Sequence, residues 1–348
     1  MSSGLNAAIV GYGRAGKCFH AYMIAKTKGL NLYAVSTRDP ERRKAAEKEY
    51  GVKTYGDIDE MLQDDNVQLV VVATPHNTHA ALCIKAMDAG KHTITDKIMC
   101  MNTREADAMI AARDRNGVMF SVFHNRRWDM DFLTIQKVIE DGLLGPVFLI
   151  ESTILQYGKP RSWRGDKDAC GGYLFDWGAH LADQAVLLAG CKPKTVYTTI
   201  QNRKWDISTE SHHRTHIVFE SGLEFFIELS RLCQIPKPRW YILGEEGTFI
   251  KYGLDTQEKY MDQQRIEEAV DPPDNYAKVK VIVAGQPKEM TIPTLKGDWL
   301  AYYRNISDVL NNGAELAVKP EQVRDSVAIV EGAMKSAETG QVVDLTAL

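Results

Sequence analysis

The sequence has no uninterrupted run of about 18 apolar residues, the minimum for a membrane-spanning helix, so no membrane association is expected. It also lacks a basic excess: 42 Lys and Arg stand against 46 Asp and Glu, which gives a net charge of −4. This balance leaves no broad basic surface for nucleic acid. The six cysteines form no C-x-x-C pair, which is typical of reduced thiols in a cytoplasmic protein.

Internal repeats and low-complexity tracts are missing as well, which argues against solenoids and arrays. The first predicted strand begins a few residues from the N-terminus, so no signal peptide is expected. What is present is a chain of 348 residues with 44% hydrophobic content, enough to bury a sizeable core and long enough for two domains.

The strongest motif lies near the N-terminus, where a short apolar run meets Gly11, Gly13 and Gly16 and a helix-compatible segment follows. In a G-x-G-x-x-G turn the first glycine permits a sharp bend, the second lets backbone approach a pyrophosphate, and the third lets the helix pack on the strand. Free N–H groups at the helix N-terminus favour phosphate. The motif predicts a dinucleotide site formed by Gly11, Tyr12, Gly13, Arg14, Ala15 and Gly16.

The end of the second predicted strand, 30–36, indicates which dinucleotide binds. An NAD-type fold has Asp or Glu there to bind the ribose 2′-hydroxyl. This chain has Ser36, Thr37 and Arg38, and the first acid, Asp39, begins a turn. Hydroxyls and an arginine suit a 2′-phosphate better, so the residues favour NADP, with NAD as the alternative.

Strands and helices alternate up to residue 122, which predicts an N-terminal Rossmann domain, a doubly wound parallel sheet covering 1–122. Two segments follow buried strands and therefore lie at the carboxyl edge of the sheet, where ligands bind in such folds. They add Ala73, Thr74, Pro75, His76, Asn77, His79, Asp96 and Lys97 to the predicted cofactor residues.

The remaining chain, 123–348, predicts an α+β domain for substrate binding and oligomerisation. Closely spaced strand-like runs favour an open, mostly antiparallel sheet with helices on one face. Two helices are predicted at the end of the chain, about 299–311 and 320–339. Whether they pack back on the first domain stays open. A sheet with one uncovered face favours a homodimer or homotetramer.

The densest chemical stretch is 171–183, in which Asp176 and His180 lie four residues apart on a predicted helix and so share a face. A carboxylate beside an imidazole makes a general acid or base near neutral pH. The spacing alone also fits a helix cap with a structural histidine.

Four segments together resemble the glucose–fructose oxidoreductase / inositol dehydrogenase / MocA family, over essentially the whole chain. They are Gly11-Tyr-Gly-Arg-Ala-Gly16, Ala73-Thr-Pro-His-Asn-Thr-His79, Ala89-Gly-Lys-His92 leading to Asp96-Lys97, and Gly171-Gly172 through Asp176 to His180. Further segments resemble the NADP-using scyllo-inositol dehydrogenase-type subgroup: 19–21, 123–134, Asp183-Gln184 and 251–258.

The resemblance implies a cytoplasmic oxidoreductase that moves hydride between NAD(P) and a cyclic polyol or sugar. By the same resemblance Lys97 hydrogen-bonds the reacting hydroxyl, Asp176 orients the substrate, and His180 takes or gives the proton. The family usually has proline after the lysine, often with a cis bond before it. Here Ile98 follows Lys97, which leaves open either a cis bond or a trans bond with Lys97 placed differently.

Predicted substrate residues are Asn125, Arg126, Tyr157, Trp163 and Arg164, together with Asp176 and His180; ordinary loop packing is the alternative for the first five. No metal is expected at His212, His213 and His216, because only the first and last share a strand face. Two other functions stay open: a sugar ketone reductase or NAD-recycling glycoside-processing enzyme, and a non-catalytic dinucleotide sensor.

Overall fold

The computed structural model describes residues 4–160 and 162–348. The chain divides into two compact units. The first comprises residues up to Asn125 with Met261–Gln264 and Trp299–Arg324, and the second comprises Arg126–Tyr260, Arg265–Asp298 and Asp325–Leu348. The domain boundary predicted between residues 122 and 123 stays a prediction, since compactness alone does not define a domain.

The first unit contains a six-stranded parallel sheet in the order β3-β2-β1-β4-β5-β6. Its strands are β1 (Leu5–Val10), β2 (Leu30–Ser36), β3 (Lys53–Tyr55), β4 (Leu69–Val72), β5 (His92–Asp96) and β6 (Phe120–Phe123). The apolar runs of β1 and β4 are buried at the centre of the sheet. The strand order reverses between β1 and β4, the switch point at which doubly wound folds bind ligands. This topology confirms the predicted Rossmann fold.

Helical segments connect the successive strands of this sheet. They are a π-helical turn (Ala15–Ala21) that continues into α1 (Tyr22–Lys26), then α2 (Pro40–Tyr50), α3 (Ile58–Leu62), a 3₁₀ turn (His76–Thr78), α4 (His79–Asp88) and α5 (Thr103–Asn116). The sequence suggests Thr103 as the N-cap of α5, and this is wrong. Asn102 is the cap, because its side chain accepts a hydrogen bond from the Glu105 amide at 2.9 Å.

The second unit contains a nine-stranded sheet in the order β14-β13-β12-β11-β7-β10-β9-β8-β15. Its strands are β7 (Val147–Leu155), β8 (Pro193–Gln201), β9 (His212–Phe219), β10 (Glu224–Ser230), β11 (Trp240–Gly244), β12 (Gly247–Lys251), β13 (Ala277–Val283), β14 (Gln286–Ile292) and β15 (Val343–Asp344). Only the β7–β10 pair is parallel among the described strands of this sheet, so the mostly antiparallel prediction is confirmed.

The remaining helices are α6 (Met130–Glu140), α7 (Lys167–Cys170), α8 (Ala179–Ala189), α9 (Gln257–Met261), α10 (Leu300–Asn312) and α11 (Pro320–Thr339). A π-helical turn, Leu174–Gly178, precedes α8. Residues 257–275 do not form the long loop that their polarity suggests, since α9 and two 3₁₀ turns lie within them. Within the described ranges, no helix is both long and apolar enough to cross a membrane.

Candidate active site

The glycine turn after β1 shows what lies against each of its three glycines. Gly11 has a φ of +94°, and a Cβ there would lie 2.3 Å from the Ala73 carbonyl oxygen. A Cβ on Gly16 would lie 2.0 Å from the Gly11 carbonyl oxygen. Gly13 differs, because its nearest neighbour would be a guanidinium nitrogen of Arg42 at 3.9 Å. The first and third glycines are therefore required by packing, whereas the second faces open space, as the predicted approach of a pyrophosphate requires.

The other residues of this turn differ in exposure and in their partners. The Tyr12 side chain is buried and Ala15 begins the π-helical turn. Arg14 is more than half exposed and pairs with Asp262 at 2.8 Å. The Gly11 amide donates to the Ser36 carbonyl oxygen at 2.9 Å, which joins the turn to the end of β2.

At the end of β2, the first carboxylate, that of Asp39, is already bonded to the start of α2. Asp39 accepts hydrogen bonds from the amides of Glu41 and Arg42, and it pairs with the Arg42 side chain at 3.2 Å. Arg38 is exposed, and the described residues make no hydrogen bond or ion pair with its side chain. Arg43 is not among the residues predicted from the sequence to bind the cofactor. Its side chain donates to the Thr37 carbonyl oxygen at 2.6 Å. The strand end therefore presents cations and hydroxyls, and its acid caps α2.

The turn after β4 is fixed by His79. Its Nδ1 lies 2.7 Å from the Ile98 carbonyl oxygen and its Nε2 lies 2.9 Å from the Thr74 carbonyl oxygen. Burial lowers the pKa of this histidine. His76 is buried beside it, whereas Pro75 and Asn77 are exposed and Ala73 is buried. His79 thus ties the predicted cofactor turn to the residue that follows Lys97.

Lys97 follows β5 directly, and the Lys97–Ile98 peptide bond is cis. The Lys97 amide donates to Asp96 at 2.8 Å. His20 Nε2 lies 3.8 Å from the other Asp96 oxygen, and His20 Nδ1 lies 2.6 Å from the Tyr303 hydroxyl. Burial raises the pKa of Asp96, but His20, Lys97 and His79 outweigh it and lower this pKa to about 2. Asp96 is therefore ionised beside Lys97 at any ordinary assay pH.

In the second unit, four predicted residues come together. Asp176 and His180 are buried on the π-helical turn and on α8. Arg164 donates to Asp176 through Nε at 2.9 Å, and its guanidinium lies 4.7 Å from the centre of the Trp163 ring. This set of Trp163, Arg164, Asp176 and His180 combines an aromatic face, a cation, a carboxylate and an imidazole. Such groups bind hydroxyls and transfer protons.

Arg126 lies at the edge of this set but is already paired. It is buried, donates to Asp129 at 3.1 Å and to Glu258 at 2.9 Å, and stacks 4.5 Å over the Trp177 ring. Trp177 follows Asp176 and lies 6.0 Å from the His180 ring. Arg126 therefore supports the helix beside Asp176; its predicted contact with substrate stays a prediction.

The other two predicted substrate residues are Asn125 in the first unit and Tyr157 in the second, and their contacts with substrate stay predictions. Asn125 is buried at the start of the 3₁₀ turn Asn125–Trp128. Tyr157 is exposed, and its partners among the described residues are Lys204 and Trp205 and not the set around Asp176.

The histidines of β9 are separated by the strand geometry. His216 Nε2 lies 2.7 Å from Glu224 and its ring stacks on Phe226, whereas His213 is buried, and burial lowers the pKa of His213 to about 3. Across residues 4–160 and 162–348, no three His, Cys, Asp or Glu side chains are grouped so that they could hold a metal ion.

Comparison with known sequences covers both units. The profile of the Gfo/Idh/MocA oxidoreductase family, NAD-binding Rossmann fold, matches residues 5–124, and that of the Gfo/Idh/MocA C-terminal domain matches residues 132–250. The chain belongs to this family. Residues 5–124 are therefore an NAD(P)-binding Rossmann fold of an oxidoreductase, as the motifs predicted.

Named relatives extend along the whole chain. The scyllo-inositol 2-dehydrogenase (NADP(+)) IolW of Bacillus subtilis is 31% identical over 98% of this chain and 96% of its own length. The D-apiose dehydrogenase of Paraburkholderia graminis is 25% identical over 94% of this chain and 87% of its own length. Among solved structures, yvaA from Bacillus subtilis has a TM-score of 0.93 at 29% identity and covers 99% of each chain.

Proposed function

We propose that the protein is an NAD(P)-dependent dehydrogenase or reductase acting on a CH–OH group of a cyclic polyol or sugar. The observation that carries the proposal is the buried Asp176 one turn from the buried His180, with Arg164 held 2.9 Å from the carboxylate. A polyhydroxylated ligand needs such convergent donors and acceptors. The dehydrogenases of scyllo-inositol and D-apiose among the relatives support the same substrate class.

Each residue has a distinct role in this proposal. His180 accepts the proton of the reacting hydroxyl during oxidation and returns it during reduction. Asp176 accepts hydrogen bonds from substrate hydroxyls and sets their orientation, and the Lys97 ammonium donates to the reacting oxygen. The ionised Asp96, whose oxygen accepts from the Lys97 amide, helps to hold this lysine. When bound, the nicotinamide ring supplies the carbon that accepts or returns the hydride.

The proposal includes a preference for NADP over NAD. Three observations support it: Asp39 caps α2, Arg38 is exposed at the end of β2, and the Thr37 hydroxyl lies 3.4 Å from the Asp39 amide. A 2′-phosphate is bound by cations and hydroxyls, whereas a free 2′-hydroxyl is bound by a carboxylate. The NADP(+)-dependent relative supports the same preference.

The experiment is a panel of inositol isomers, aldoses and sugar ketones, each with NADP and NAD, followed by the absorbance of the reduced nicotinamide. At least one cyclic polyol or sugar should give turnover, with NADP the better cofactor. Sugar ketones alone giving turnover would favour the reductase. Tight NADPH binding with no turnover on any compound would contradict the enzyme and favour a dinucleotide sensor.

A homodimer or homotetramer is part of the same proposal. In the second unit, one row across the sheet holds the half-buried Phe226, Tyr241 and Ile250, with Glu151 of β7 between Phe226 and Tyr241. Partly exposed apolar side chains on a sheet face favour contact with another subunit. Light scattering should give about two or four times the 39.0 kDa chain mass, and Tyr241→Lys should lower it. A monomeric wild-type protein would contradict this part.

A further inference from the structure

Both glycines before the helix of Asp176 and His180 are explained by what lies against them. A Cβ on Gly171 would lie 2.5 Å from the Phe175 ring, within the same turn. A Cβ on Gly172, whose φ is +122°, would lie 2.4 Å from a carboxylate oxygen of Glu210. The second glycine thus leaves room for an acid that stands 38 positions later in the chain.

Glu210 is bound to the start of this helix. Its side chain is only 4% exposed, and its Oε1 accepts a hydrogen bond from the Leu174 amide at 2.8 Å. Leu174 is the first residue of the π-helical turn that contains Asp176. The first amides of a helix have no partner within the helix, so a buried acceptor at this point fixes where the helix begins.

The residues just before Glu210 hold the loop that carries Arg164. The Thr209 hydroxyl donates to the Arg164 carbonyl oxygen at 3.3 Å, and the Ser208 hydroxyl donates to the Gly165 carbonyl oxygen at 3.3 Å. The Lys167 amide in turn donates to Ser208 at 2.8 Å. We call residues 207–210 the template segment.

The template segment is itself anchored in the sheet by the next residue. The Ser211 amide donates to the Gln201 carbonyl oxygen at 2.9 Å, and the Ser211 carbonyl oxygen accepts from the Arg231 amide at 2.8 Å. Gln201 ends β8, and Arg231 directly follows β10. The loop of Arg164 and the helix of Asp176 are therefore both seated on a segment that the sheet holds in place.

We propose that Glu210 is a positioning residue, which fixes the first turn of the helix that carries Asp176 and His180, while its neighbours fix Arg164 opposite Asp176. The inference rests on the proposed function, because it assigns Glu210 to the geometry of that reaction. Proton transfer and substrate orientation depend on sub-ångström placement, and a shift of about 1 Å can cost about 10²-fold in rate. Glu210 is not a catalytic residue, since it acts through the backbone of Leu174.

The test compares Glu210→Ala and Glu210→Gln with the exposed Glu220→Gln, a matched loss of one carboxylate in the same unit. Glu210→Ala should lower kcat about 10–100-fold and raise the KM for the polyol, with the dissociation constant of NADPH changed less than about twofold. Glu210→Gln should recover part of the loss, because its amide oxygen still accepts from the Leu174 amide. Hydrogen–deuterium exchange of peptides covering 173–178 should accelerate in Glu210→Ala and not in Glu220→Gln.

Kinetics and exchange of Glu210→Ala that match those of Glu220→Gln would overturn the inference. An equal loss of polyol turnover and NADPH binding would also overturn it, since that pattern indicates general destabilisation. If Glu210→Ala does not fold, Glu210→Leu carries the same comparison, because leucine keeps most of the side-chain volume and has no oxygen to accept from the Leu174 amide. The exchange measurement needs no substrate, so it still tests the contact with Leu174 if no polyol is turned over and the proposed function fails.

Discussion

Replacing His180 by Asn lowers kcat for polyol oxidation by about 10²–10⁴-fold, the range that general acid–base catalysis supplies. His180 is buried on α8, one turn beyond Asp176, and the proposal gives it the hydroxyl proton. Asparagine keeps a polar side chain of similar size but cannot take up a proton. Steady-state kinetics give kcat, and the fluorescence of NADPH gives its dissociation constant, which should change less than about twofold because the glycine turn is untouched.

The control for this substitution is His216→Asn. His216 belongs to the same unit but pairs with Glu224 and stacks on Phe226, outside the proposed machinery. It should leave kcat within about twofold of wild type. A His180→Asn enzyme that keeps wild-type kcat, or one that loses NADPH binding to the same extent as kcat, would contradict the assignment of His180 to proton transfer.

Replacing Arg38 by Ala weakens NADP binding by about 10–100-fold and leaves NAD binding almost unchanged. The guanidinium is exposed at the end of β2, and a hydrogen bond to a charged group is worth about 1.5–3 kcal/mol. Each 1.4 kcal/mol is tenfold in affinity. NAD carries a hydroxyl in place of the 2′-phosphate and so loses little. The ratio of kcat/KM for the two cofactors measures the effect.

Lys48→Ala is the matched control, because it removes one exposed positive charge from α2, away from the end of β2. Both substitutions lower the net charge by one, but only Arg38→Ala removes a contact at the end of β2. The long-range effect of a single surface charge is screened beyond about one Debye length. Equal weakening of NADP and NAD by Arg38→Ala, or the same change in Lys48→Ala, would refute a 2′-phosphate contact at Arg38.

The parts of the site that depend on local chain geometry could be predicted from the sequence. The roles of Gly11 and Gly16 follow from the dihedral freedom of glycine and from the strand-to-helix junction, and the structure shows the close approaches that require them. Helical spacing brings Asp176 and His180 to neighbouring turns in the same way. The two sheets followed from the spacing of apolar runs along the chain.

The partners of these residues could not be predicted, because they come from distant parts of the chain. Nothing near Arg126 in sequence indicates that Glu258 and Trp177 hold it, so the sequence left substrate binding and ordinary loop packing open as alternatives. Glu210 belongs to no recognisable motif. The structure shows that Gly172 is small because a Cβ there would collide with the Glu210 carboxylate. Local sequence patterns also do not distinguish two adjacent candidates for the N-cap of α5. Asn102 and Thr103 both suit this position, and only the geometry assigns it to Asn102.

The central claim is that hydride passes directly between a polyol carbon and the nicotinamide. The most direct measurement uses an inositol or sugar that is turned over in the panel, deuterated at the reacting carbon, followed by mass spectrometry of the reduced cofactor. We expect one deuterium in the NADPH formed by the wild-type protein and almost no labelled NADPH from His180→Asn in the same time. Unlabelled NADPH from the wild-type protein, or label formed equally fast by His180→Asn, would contradict it.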